Sequence, residues 1–127
     1  MPEKPKTILL VDDDYDIRTV LCEVLESEGF AVAVAVNGRE ALNYLEANPV
    51  PQLILLDLMM PVMNGFEFRE AQTTNPKWAD IPVIIMSADG AQQSKEKQER
   101  LRGAVFVKKP PDLSDFLDTV HSNVGKS

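Results

Sequence analysis

The segment Leu53-Ile54-Leu55-Leu56-Asp57-Leu58-Met59-Met60-Pro61-Val62-Met63-Asn64-Gly65 decides how the rest of this 127-residue chain must fold. Its first four residues are apolar without alternation. Such a run suits a strand buried on both faces, as in a parallel sheet, rather than a half-exposed strand of period two. An acid then ends the run, Pro61 interrupts the backbone, and Asn64-Gly65 supplies turn chemistry. Phe66, Phe68 and Arg69 follow as the start of a helix.

Working outward, two further runs have the same character: Thr7 to Val11 and Ile81 to Met86. Phe30 to Val36 and Ala104 to Val107 are weaker strand candidates. Helical patterns lie between them. Ile17, Val20, Leu21, Val24 and Leu25 fall on one face of a first helix. Asp14 suits its N-cap, Asp16 its positive end, and Gly29 its stop. Asn37 and Glu40 form a capping-box variant before Ala41, Leu42 and Leu45. Leu113, Phe116, Leu117, Val120 and Val124 make a last amphipathic stripe. The fourth helix, Ala91 to Arg102, is almost wholly polar, with Leu101 its one large apolar residue, and so has little to bury. The predicted order is β-α repeated five times. Right-handed crossovers make it a doubly wound α/β domain, a five-stranded parallel sheet covered on both faces. Residues 7–124 form the domain, between short tails at 1–6 and 125–127.

Composition narrows the function classes. The net charge of -7 argues against a nucleic-acid surface and against docking on an anionic membrane. The single cysteine, Cys22, sits among Val20, Leu21, Val24 and Leu25 and reads as a packing residue, with no internal disulfide available. Met1 to Lys6 is short, charged and Pro-containing, without a signal peptide or membrane span. The expectation is a cytoplasmic protein.

The chemistry collects at strand ends. In open parallel sheets ligands bind beyond the carboxyl ends of the strands. The first strand ends in Asp12-Asp13, the third in Asp57, the fourth in Ser87, and the fifth runs into Lys108-Lys109-Pro110. With the strand order 2-1-3-4-5 these ends are neighbours. Converging carboxylates either raise their pKa values or hold a cation. Oxygen-only ligands favour a hard ion such as Mg²⁺, which takes one or two carboxylates, waters and a phosphate oxygen. A carboxylate beside such an ion is a nucleophile towards a phosphoryl donor, and a lysine and a serine hydroxyl can neutralise and hold the transferred group.

These residues also resemble response-regulator receiver domains of two-component signalling, of the chemotaxis-type single-domain kind, nearly end to end. The matching pieces are Ile8 to Asp14, Leu55 to Gly65, Met86-Ser87-Ala88 and Lys109-Pro110. The resemblance implies a flavodoxin-like fold and a role for each position. Asp57 would be the phosphoacceptor. Asp13 and Asp57 would ligate Mg²⁺, with Asp12 acting mainly through water and the backbone carbonyl of Met59 as a further ligand. Ser87 takes the place of the switch hydroxyl, Phe106 that of the switch aromatic, and Lys109 would pair with the phosphoryl group across a cis bond to Pro110. The phosphoryl group would come from a histidine kinase or a phosphotransfer protein, and a switched surface would bind a downstream protein partner. Such a domain is a signalling module, not an enzyme, and would be a monomer or dimerise on phosphorylation. Departures are Asn64 for a frequent Asp, Phe106 for a frequent Tyr, Gly103 one place nearer the aromatic than usual, and Pro111 for a common Phe.

Two rival functions are weighed against the residues. An aspartyl-phosphate-forming, Mg²⁺-dependent phosphatase usually carries a second acid two residues after its nucleophile, where this chain has Met59. A flavin electron carrier needs a hydroxyl-rich loop after the first strand, where Asp12-Asp13-Asp14 would repel the phosphate. Gly125-Lys126-Ser127 lacks the earlier glycine of a phosphate-binding loop, since position 120 is Val. His121 reads as a surface residue, Trp78 as packing, and Met59, Met60, Met63 and Met86 as walls of the site. A chain ending here would act as a relay intermediate or by protein contact; a fragment would have its output region elsewhere.

Overall fold

The computed structural model describes residues 6–87, 95–101, 104–109 and 111–124. Strands β1 (Thr7–Val11), β2 (Ala31–Ala35), β3 (Leu53–Asp57), β4 (Val83–Ser87) and β5 (Val105–Lys108) alternate with helices α1 (Tyr15–Ser27), α2 (Gly38–Ala47), α3 (Gly65–Thr74), α4 (Lys95–Arg100) and α5 (Leu113–Asn123). The strands form one parallel sheet in the order β2-β1-β3-β4-β5. This is the predicted doubly wound, flavodoxin-like topology.

The unbroken apolar runs are explained by two-sided burial. Leu9, Val11, Ile54, Leu56, Val83 and Ile85 face one cluster, with Ala41 and Leu45 of α2, Phe68 of α3 and Leu101. Their neighbours Ile8, Leu10, Leu53, Leu55, Ile84 and Met86 face the other, with Leu21 and Leu25 of α1 and Phe116 and Val120 of α5. β3 and β4, and β1 from Ile8 on, thus keep their period of two while burying every residue, whereas the edge strands β2 and β5 are partly exposed. Trp78 packs into the first cluster, as expected, and is 7% exposed.

The helix ends follow the local chemistry. The Asp14 side chain accepts the Ile17 amide, the Asn37 side chain that of Glu40, and the Asp112 side chain that of Asp115. Asn64 and Glu67 make a reciprocal capping box at α3. At α2 the Glu40 carboxylate accepts instead from the Val36 amide, one residue before the cap. Gly29 ends α1 with φ 92°, the left-handed conformation a glycine adopts at least cost.

Three expectations need correction. Val20 is 48% exposed and flanks the buried stripe instead of joining it. Leu21 and Leu25, four apart, define the inward direction, and Val20 lies about 100° round the helix from Leu21. Met59 is 78% exposed and is no wall of the site, whereas Met60 and Met86 are core. Strand limits also shift: Ile81 and Pro82 precede β4, while Asp57, Ser87 and Lys108 close their strands. Cys22 is half-buried against the α1–α5 cluster, and burial pushes its thiol pKa up. Of the expected fourth helix, Lys95–Arg100 is helical and Leu101 is fully buried, while residues 91–94 and 102 lie outside the described residues. So do Gly103, Pro110 with the expected cis bond, and the terminal Gly125-Lys126-Ser127.

Candidate functional site

Sheet register assembles the site. Val11 pairs with Leu56, so Asp12, the residue just after β1, comes alongside Asp57 at the end of β3. Asp57 pairs with Met86, which brings Ser87 one step further on, and Ser87 pairs with Lys108. The Lys109 amide donates to the Ser87 carbonyl at 2.8 Å and thereby fixes where the lysine side chain begins. One carboxylate oxygen each of Asp12, Asp13 and Asp57 lies within 4.8 Å of the others. Lys109 Nζ stands 3.0 Å from Asp12 Oδ2 and 3.1 Å from Asp57 Oδ2. Asp12 and Asp57 are buried, Ser87 is buried, and Asp13 is exposed at the rim.

The expected residues therefore come together with two differences. Met59 reaches the site through its backbone: its amide donates to Asp57 Oδ1 at 3.3 Å while its side chain points to solvent. Phe106 pairs with Ile85, two residues below Ser87, and packs half-buried against the α2–α3 cluster outside the charged group.

Electrostatics mark Asp57 as the unusual group. Its pKa is raised from 3.8 to about 6, first by burial and then by the Asp12 charge; the Lys109 ammonium and the Met59 amide oppose the shift without cancelling it. Burial alone would lower the Lys109 pKa. The hydrogen bonds and charges of Asp12 and then Asp57 outweigh burial and hold the ammonium above its ordinary value. Three carboxylates against one ammonium leave two negative charges uncompensated when all are ionised.

The donor set fits a hard divalent cation. All three side chains offer oxygen, and Asp12 Oδ2 is buried without a hydrogen bond among the described residues, although the lysine lies near it. The one lysine is shared between Asp12 and Asp57, so the converging carboxylates keep acceptor capacity that a hard cation would fill.

The loop after Asp57 is strained. Val62 has φ 69°, and the Met63 amide donates to the Pro61 carbonyl at 2.8 Å, closing a three-residue turn of the rare hand. A β-branched residue there costs about 1–3 kcal/mol. Val62 is 81% exposed, so its side chain gains nothing by burial. Val62→Gly is expected to stabilise the protein by about 1 kcal/mol, after the larger unfolded-state entropy of glycine is subtracted. Urea denaturation checks this; a lower midpoint for the variant would refute the strain.

Sequence reasoning missed several participants. The Arg18 Nη1 donates to the Asp12 carbonyl at 2.9 Å. Arg69, 7% exposed, donates from Nε to the Leu101 carbonyl and from Nη1 to Gln72 Oε1, and Gln72 Nε2 donates to the Trp78 and Ile81 carbonyls. This buried network ties α3 to the end of α4. Gly65 and Gly38 permit close backbone approaches beside the Asp57 loop. A glycine after a turn asparagine was the one available signal; the two arginines carried none, because partners six and thirty-two residues away leave no local pattern.

A five-stranded parallel sheet with an acidic, lysine-bridged pocket at its carboxyl edge defines a class of phosphoryl- or metal-handling α/β domains. The response regulator receiver domain family matches residues 8–121, and the chain belongs to that family, a signalling domain of two-component systems. The chain is 35% identical over 113 residues to the sporulation initiation phosphotransferase F of Bacillus subtilis, covering 89% of each protein. It is 38% identical over 113 residues to an uncharacterised 14.6 kDa protein of Leptolyngbya boryana, covering 89% of this chain and 86% of that one. Among solved structures, the Vibrio cholerae chemotaxis protein CheY4 superposes with a TM-score of 0.84 at 28% identity, over 94% of this chain and 99% of that one. Among the described residues no helix is long and apolar enough to cross a membrane.

Proposed function

We propose that this receiver is switched by phosphorylation of Asp57 in a Mg²⁺-dependent reaction, with a histidine kinase or a phosphotransfer protein as donor. The observation that carries the reading is the buried Asp57 carboxylate set 3.1 Å from Lys109 and within 4.8 Å of two further carboxylates. A relative named as a phosphotransferase agrees with it.

In this reading an Asp57 carboxylate oxygen attacks the phosphorus of a phosphohistidine. The phosphorus–nitrogen bond breaks, the electron pair leaves with the imidazole, and an acyl phosphate remains on Asp57. Asp12, Asp13, Asp57 and the Met59 carbonyl would hold Mg²⁺, which supplies charge neutralisation for the equatorial phosphoryl oxygens. Lys109 exchanges its contacts with Asp12 and Asp57 for a phosphoryl oxygen. The Ser87 hydroxyl donates to another, and the pull on Ser87 reaches β5 through the Lys109 amide. Phe106, on β5 and only half-buried, is free to repack as that strand shifts. The phosphoryl group acts through contacts that differ between two conformations, and the switched surface then binds a protein partner. A phosphatase role gains no support, because position 59 offers an exposed methionine in place of a second acid.

Incubation with Mg²⁺ and acetyl phosphate, followed by mass spectrometry, tests the proposal. The expected product is a single phosphoryl adduct, acid-stable and base-labile, mapped by peptide fragmentation to Asp57 and missing when Mg²⁺ is chelated. An adduct at another residue, or none, would sink the reading.

A further inference from the structure

We infer that Arg18 is a positioning residue for the metal site: its guanidinium holds the Asp12–Asp13 peptide in the orientation that aims Asp13 at the cluster. The inference rests on the metal-dependent reading above.

Asp12 is fixed at almost every polar atom. Its amide donates to the Ala35 carbonyl at 3.0 Å, which continues the pairing of the first two strands. Its Oδ1 accepts the Asp14 amide at 2.9 Å, and its carboxylate faces Lys109. Its carbonyl accepts Arg18 Nη1 at 2.9 Å. That last bond sets the plane of the peptide joining Asp12 to Asp13, because the carbonyl oxygen and the following amide turn together. Asp13 has no such support. It is exposed, its carboxylate has no hydrogen-bond partner among the described residues, and only the backbone on either side determines where it points. On the far side the backbone is held by Asp14, which accepts the Ile17 amide as the α1 cap. On the near side the bond from Arg18 does that work.

Arg18 is itself placed for the task. It sits one turn into α1, and its guanidinium lies 5.7 Å from the centre of the Tyr15 ring, three residues earlier on the same helix face. Tyr15 is 70% exposed, so the ring forms a solvent-side shelf that limits the rotamers open to the arginine. Half-buried Arg18 then spans from the helix to a carbonyl six residues back.

A cation so close to a candidate metal site has two opposite effects, and their signs separate them. As a charge, Arg18 repels a divalent ion, and its removal would tighten binding. As a hydrogen-bond donor it orders Asp13, and its removal would weaken binding. Outer-shell donors of this kind typically change metal affinity about 10–100-fold. The exposed setting of Asp13 argues for the low end.

Calorimetric titration of the whole protein with Mg²⁺ alone decides between them, with no phosphodonor present. Arg18→Ala is expected to raise the Mg²⁺ dissociation constant about tenfold. Arg18→Lys, which keeps a donor of nearly the same reach, is expected to retain affinity close to wild type. Thermal melts in chelator should be similar for the three proteins, which separates aim from stability. Unchanged or tighter binding by Arg18→Ala overturns the inference while leaving the metal reading intact. Failure of Arg18→Lys to recover what Arg18→Ala loses also overturns it. A wild type that binds no Mg²⁺ removes the reading itself, and the inference with it.

Discussion

Asp57→Asn is expected to abolish phosphoryl uptake and, in the metal-free protein, to raise stability at neutral pH. The first effect is chemical: an amide is no nucleophile towards phosphorus under these conditions. The second follows from the raised pKa. Folded Asp57 titrates at about 6 against 3.8 for the free side chain, because burial and the Asp12 charge disfavour its ionised form. Between those values the folded state holds a proton that the unfolded chain has lost. Stability contributed by this group is therefore complete below about pH 4 and is lost as pH rises to about 6. At about 1.4 kcal/mol per pKa unit the whole effect would approach 3 kcal/mol. Water at the open rim beside Asp13 screens part of it, which leaves about 1–2 kcal/mol. Asparagine keeps the shape and carries no charge, so its stability should be flat across that window. For a chain of this length the gain at pH 7 corresponds to about 4–7 °C in Tm. Calorimetry in chelator at pH 4 and pH 7 tests the sign. The two proteins should melt together at the lower pH and separate at the higher. A variant that melts at or below wild type at pH 7 would show that Lys109 already compensates the charge.

The same residue shows what could be read from the sequence and what could not. Asp57 was legible because it ends an apolar run, and so were Asp12, Asp13, Ser87 and Lys109, each at the end of a run of its own. Strand ends are a one-dimensional property, and parallel topology carries them to one edge. Period two inside the runs was hidden, since both faces are buried and the apolar pattern is continuous. The direction of a side chain round a helix was less legible. Val20 belongs to the apolar stripe by spacing, yet it sits at the flank of α1, half exposed. Least legible were polar groups whose partners are set only by tertiary packing. Arg69 looked like an ordinary helical arginine, but the fold encloses its guanidinium between the Leu101 carbonyl and Gln72. The conformation of Val62 was invisible for a different reason: nothing about valine asks for φ 69°, which belongs to the turn closed by the Met63 amide on the Pro61 carbonyl.

Among the described glycines Gly65 is the one most tightly enclosed by backbone atoms, and Gly65→Ala is expected to be the most damaging added methyl group there. Helix propensity points the other way, since alanine is favoured over glycine by up to about 1 kcal/mol in a helix. Gly65 does not need a left-handed φ, so backbone freedom is not at issue. Space is. A Cβ at this position would stand 2.5 Å from the Asp57 carbonyl oxygen and 2.8 Å from the Leu58 Cα. Both are backbone atoms at the end of a central strand, where no rotamer change can make room. The helix must instead move away from β3, stretching the 3.0 Å bond from the Gly65 amide to the Leu58 carbonyl and lifting the fully buried Phe68. Overpacking of this kind costs about 3 kcal/mol and outweighs the propensity gain. Gly38 provides the control. Its nearest obstacle is the Met63 Cγ at 2.7 Å, a side-chain atom, and its nearest backbone atom, the Met63 carbonyl oxygen, stands at 3.0 Å against 2.5 Å for Gly65, so Gly38→Ala should be the milder change. The two substitutions should also differ in function. Gly65→Ala displaces the peptide that carries Asp57, and a displacement approaching 1 Å at a reacting group can reduce rates by roughly tenfold or more. The measurement is a pair of urea titrations alongside initial rates of phosphoryl uptake from acetyl phosphate. Equal losses in the two variants would mean that the loop after Asp57 yields as easily as a methionine side chain, and that the phosphoacceptor is not held by the close approach of α3.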